Sequence, residues 1–184
     1  MDVIELTLTK GTELDFQIAL VDSPAIESDF MAFKKQQQFK VISEDKRVVS
    51  GFAMMAEKPI YRRDDNGQEY YVKFTADSIK EISQQFAKNN LLNQTNAMHQ
   101  TDNFLDGVYV TESFLIDEQR GISIPKGYGD ATEGSWFITM KIENNEVWQS
   151  VKDGTFKGFS VEGIFDEKKH DYLSGLKSIV ESYQ

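Results

Sequence analysis

The sequence predicts an α+β domain built on a mostly antiparallel β-barrel or sandwich of about 6–8 strands with peripheral helices. Three observations predict it. Short segments with strand character recur between Gly, Pro and Asn-Gly punctuation. Few segments carry a helical apolar stripe, the clearest of them 75–89. Residues 135–143 (SWFITMKIE) alternate large side chains densely enough to form the wall of a barrel or sandwich. At 184 residues the chain has the length of one domain, 1–184, and buries enough surface to fold without disulfide staples.

Taken in order, residues 2–9 (DVIELTLT) alternate as a half-buried strand does, and 14–21 (LDFQIALV) run nearly continuously as a buried one does. Gly11 punctuates the two, and Pro24, with no N–H to give a ladder, ends the second. Residues 26–40 are a polar connector with some helical character. Residues 47–56 (RVVSGFAMMA) and 69–74 (EYYVKF) are read as two strands of a hairpin turned by Asp65-Asn66-Gly67. Thr75 with Asp77 and Ser78 starts a helix whose Ile79, Ile82 and Phe86 share one face through Asn89. Further strands are expected at 105–116, 121–124 and 135–143, the last with Trp136, Ile138, Met140 and Ile142 on one face and Phe137 on the other. Residues 144–152 form a short helix capped by Asn144 or Asn145 and stopped at Gly154; 157–165 is the last strand, and 171–184 closes the chain as an amphipathic helix.

Composition removes several kinds of chemistry. With no cysteine there is no disulfide, thiolate metal site or cysteine nucleophile. The net charge is 20 − 30 = −10, and the longest basic clusters are pairs such as Arg62-Arg63, so nucleic acid is not an expected partner. No apolar run approaches the ~20 residues of a membrane span, and the first residues lack a signal-peptide pattern, so no membrane partner and cytoplasmic synthesis are expected. The two histidines, His99 and His170, lie far apart and outside any HExxH pattern, so no metal site is expected.

Nucleophilic catalysis without cysteine needs a Ser or Thr with a base, usually His. Ser160 lies in Gly158-Phe159-Ser160-Val161-Glu162-Gly163. On a strand, Phe159 and Val161 face one side and Ser160 and Glu162 the other, which turns the hydroxyl away from the apolar pair. The spacing is not the GxSxG of a nucleophile elbow, and a serine between glycines is commonly a plain sheet residue. His99, in Asn96-Ala97-Met98-His99-Gln100-Thr101-Asp102, falls between the helix and a strand, where loops carry function; its plain reading is a surface or cap histidine. Asp102 can orient it. His170 sits in a charge run, DEKKHD, whose usual meaning is a solvated face.

The order of His99, the strand Asp106-Gly107-Val108-Tyr109-Val110, the segment Trp136–Ile142 and then Val151–Gly163 with its Gly-Phe-Ser resembles the prohead maturation proteases of tailed phages. It is most similar to the XkdF type, which is itself similar in fold to the herpesvirus assemblins. Prohead proteases carry, after the serine strand, a strand of the form E-V-S-L-V-x-x-P-A. Here Gln17-Ile18-Ala19-Leu20-Val21-Asp22-Ser23-Pro24-Ala25 resembles it near the start, as in a circular permutation, which is easy where termini lie close together.

The resemblance implies acyl transfer in a serine endopeptidase, with Ser160 as nucleophile and His99 as base. Gln17 stands where the family has an acid, so the third role is open between Gln17, Asp15 and Asp102. Oxyanion donors are implied at the backbone of Ala25 and Ile26, Pro24 having no N–H. The implied substrates are scaffold, the major capsid protein and the chain itself, inside the assembling procapsid in the host cytoplasm. No cofactor or metal is implied, a homodimer is compatible with the resemblance, and the 171–184 helix would lead to a removed scaffold segment. Two rivals stand beside this reading: a non-catalytic capsid assembly or scaffolding module that uses the fold for binding, and a carboxylate hydrolase built on Glu162.

Overall fold

The computed structural model describes residues 3–8, 17–22, 38–63, 66–100, 103–129, 131–163 and 165–168. Among them the chain forms strands β1 (Val3–Leu8), β2 (Gln17–Val21), β3 (Lys40–Ser43), β4 (Val48–Met54), β5 (Ile60–Arg63) and β6 (Glu69–Phe74), then helix α1 (Ala76–Lys88). There follow β7 (Thr95–Ala97), β8 (Val108–Leu115), β9 (Trp136–Ile142), helix α2 (Asn145–Lys152), β10 (Gly158–Glu162) and β11 (Phe165–Lys168). Gly11, Pro24, Asp65, most of the 26–40 connector and the closing helix at 171–184 fall outside the described residues.

The α+β class holds, but the strands form three open sheets, ordered β11-β1-β6-β5, β10-β2-β7 and β3-β4-β9-β8, and none closes into a barrel. The described residues hold eleven strands rather than about 6–8. The additional ones, β3, β5, β7 and β11, are only three or four residues long, too short to show a period of two. Most pairings are antiparallel as expected, while β1 with β6 and β2 with β7 run parallel.

The hairpin differs from expectation for a definite reason. Asn66-Gly67 does lie in a hairpin turn, with Gly67 at φ +80°, but the turn joins β5 to β6, pairing Tyr61 with Tyr71. β4 instead lies in another sheet between β3 and β9. Residues 121–124 form no strand; Ile122 makes a single bridge to Asp117 around a 3-10 turn at Glu118–Arg120.

Helix α1 forms as its sequence dictates. The Thr75 side chain accepts the Ser78 N–H at 3.2 Å, Asp77 and Lys88 complement the helix dipole, and Ile79, Ile82 and Phe86 are buried. Phe86 meets Trp136 edge-on, with ring centroids 5.1 Å apart. On β9, Trp136, Ile138, Met140 and Ile142 enter this main core while Phe137 enters a second cluster with Phe52, Met55, Ile116 and Tyr128. Each such buried side chain contributes roughly 1.5–3 kcal/mol. Asn144 caps α2 by accepting the Glu146 and Val147 N–H groups.

One close approach fixes the strand that carries Ser160. A Cβ on Gly51 of β4 would come within 3.0 Å of the Phe39 Cα and 3.4 Å of a Phe159 ring carbon. The missing side chain lets Phe39 and Phe159 pack together over β4, ring centroids 5.2 Å apart. Phe39 N–H also bonds the Lys157 carbonyl at 2.9 Å, just before β10 begins.

Candidate active site

β2 is the middle strand of the β10-β2-β7 sheet, and its register places the candidate residues. Ser160 is paired with Ala19, and Ala19 in turn with Asn96, so the three form one row across the sheet. Because faces alternate along a strand, Gln17 shares their face, and Glu162 takes the register position opposite Gln17. The other face carries Phe159, Ile18 and Leu20 into the main core, with Val161 and Ala97 packed against it. The expected division of Phe159 and Val161 from Ser160 is therefore what forms.

Both faces are withdrawn from solvent. Ser160 is 3% exposed, Gln17 5%, and Ala19 and Asn96 are fully buried. The near-continuous apolar reading of residues 14–21 matches the burial of all five β2 residues. Burying two amides requires that they pair. Asn96 Nδ2 donates to Gln17 Oε1 at 2.6 Å. An imidazole N–H directed at Gln17 would therefore have to share an oxygen that already accepts a bond, using its second lone pair.

His99 stands in the turn that ends β7. Met98 and His99 have φ of 50° and 56°, and Gln100 N–H bonds the Ala97 carbonyl at 3.0 Å, the pattern of a two-residue type I′ turn. The chain then returns so that Phe104 bridges to Asn96 and Leu105 N–H bonds the Thr95 carbonyl at 2.8 Å. Two adjacent non-glycine residues in this region cost roughly 1–2 kcal/mol each. The Met98 N–H to Leu20 carbonyl bond, 3.0 Å, fastens the turn to β2.

Since β2 lies between them, the β10 and β7 backbones are two strand spacings apart, roughly 10 Å. Among the described residues no hydrogen bond joins Ser160 to His99, or His99 to Gln17. Asp15, Asp102, Ala25, Ile26 and His170 lie outside the described residues. Among the described residues no group of three or more His, Asp or Glu is placed to hold a metal ion, and no helix there is long and apolar enough to cross a membrane.

Asn96 is the site residue that sequence reasoning passed over. The polar stretch Asn93–Asn96 reads as a loop, and a three-residue strand leaves no periodicity from which to expect a fully buried amide. The one available signal was its position three residues before His99.

Comparison with known proteins places these residues in a family. Residues 36–169 match the family model described as "Putative phage serine protease XkdF". No curated protein and no solved structure matches the chain. The matched stretch contains both His99 and Ser160, and β2 with Gln17 precedes it. Since the match spans well over half of its length, the chain belongs to the XkdF family of phage serine proteases.

Proposed function

We propose that the chain is a prohead maturation endopeptidase in which Ser160 is the nucleophile and His99 the base. Ser160 Oγ attacks the scissile carbonyl; His99 takes the hydroxyl proton and returns it to the leaving amine. A third residue, Gln17 or one of Asp15 and Asp102, holds the ring, and the Ala25–Ile26 backbone supplies oxyanion donors. The substrates are scaffold, the major capsid protein and the chain itself, cut inside the procapsid in the host cytoplasm. On this reading the domain is assemblin-like, with the third-residue strand moved to the front of the chain.

Beyond family membership, the observation that carries the reading is the place of Ser160. It lies on β10 with its flanking Phe159 and Val161 on the core side, in one row with Ala19 and Asn96, and β7 leads from that row into the strained turn at His99. The test is to incubate the chain with its scaffold beside a Ser160→Ala variant. Processing that stops in the variant supports the assignment, and unchanged processing overturns it.

The 3% exposure of Ser160 favours a second reading, a non-catalytic capsid assembly module. It requires that the wild-type chain bind scaffold or capsid protein and leave it uncut, an outcome the same incubation reads directly.

A further inference from the structure

Gln17 and Asn96 are 79 residues apart in sequence and diagonal neighbours on one face of two parallel strands. A buried amide without a partner costs about 1–3 kcal/mol, whereas replacing both partners with apolar groups of the same shape is nearly neutral. Stability alone therefore gives little reason to keep two amides at this point. They lie on the Ser160 face, with Gln17 two residues from the strand position paired to the serine. A glutamine side chain left alone there would sample several rotamers. The bond from Asn96 selects one, holding Oε1 towards β7 and turning the Nε2 group the other way.

We propose that Asn96 is a positioning residue that acts through Gln17, its Nδ2 fixing the orientation of the Gln17 amide on the Ser160-bearing face. The proposal rests on the protease reading and adds to it a residue for which the family likeness supplied no role. Asn96 touches no reacting atom. Its effect on Ser160 reactivity exists only while Gln17 is present.

A double-mutant cycle read with a fluorophosphonate probe tests this, the rate of adduct formation at Ser160 being followed by mass spectrometry. Asn96→Ala should slow labelling by about 10²-fold, as small misplacements in active sites do. Gln17→Ala should slow it similarly, and the double alanine variant should be no slower than either single one, because the two act as a unit. A Gln17→Met/Asn96→Leu variant guards against simple unfolding: it removes both polar partners together, should keep the wild-type fold by circular dichroism, and should still label slowly. Wild-type labelling rates in Asn96→Ala or in the folded Met/Leu variant would overturn the positioning role and leave the protease reading intact. So would independent, multiplying effects of the two alanines. Absence of any Ser160 adduct on the wild-type chain would instead overturn the protease reading, and this proposal with it.

Discussion

Ser160 on β10 lies directly opposite Ala19 on β2, and neither residue reaches solvent to any useful extent. The smallest side chain that a strand can carry with a Cβ thus sits beside the candidate nucleophile, on the same buried face. Ala19→Val adds two methyl groups on this face in a residue type strands favour. The expected outcome is overpacking by about 1–3 kcal/mol, seen as a lower urea midpoint. Fluorophosphonate labelling of Ser160 should slow by more than this loss of folded protein explains. Labelling at the wild-type rate would mean the Ala19 face is not the approach to Ser160.

Gly51→Ala tests the packing that holds β10 in place. The new Cβ would press on the Phe39 backbone at 3.0 Å and on the Phe159 ring at 3.4 Å, and the backbone is the less able to yield. A destabilisation of about 1–3 kcal/mol is expected from urea unfolding. Since Phe159 precedes Ser160, labelling should slow as well. An unchanged midpoint would show that Phe39 moves freely and does not clamp the strand.

Tyr128 supplies a pH dependence with a definite sign. Its O–H donates to the Ser50 carbonyl at 2.9 Å, and burial of the phenol pushes its pKa up to about 12 from an ordinary value near 10. The folded chain therefore favours neutral Tyr128. That stability is complete below about pH 10 and is lost as pH rises towards about 12, because the unfolded tyrosine ionises first. Unfolding midpoints should fall across this window in the wild-type chain and fall less steeply in Tyr128→Phe. Identical slopes would show that Tyr128 does not carry the effect.

Where local chemistry and burial agree, the chain could be read directly. Thr75, Asp77 and the Ile79, Ile82, Phe86 stripe specify α1 without help from the rest of the molecule, and the two-faced pattern of Trp136–Ile142 specifies β9. Asn66-Gly67 announced a turn correctly, but the partner of β6 had to be found, and the short Ile60–Arg63 strand gave no alternation by which to find it. Sheet order is a tertiary property, so neither the parallel pairing of β2 with β7 nor the failure of any sheet to close could be read from periodicity. At the site, the turn of Ser160 to the face opposite the main core followed from its Phe159 and Val161 neighbours. The burial of Asn96 did not, since it depends on β2, a strand distant in sequence near the start of the chain, pairing beside it.

The most direct test of the central claim is the site at which a fluorophosphonate reacts with the folded protein, located by peptide mass spectrometry and compared with Ser160→Ala and His99→Ala. The account predicts one adduct, on Ser160, absent from Ser160→Ala and formed about 10²–10⁴-fold more slowly in His99→Ala. An adduct on another residue, no adduct on the wild-type chain, or equal labelling of Ser160 with and without His99 would contradict it.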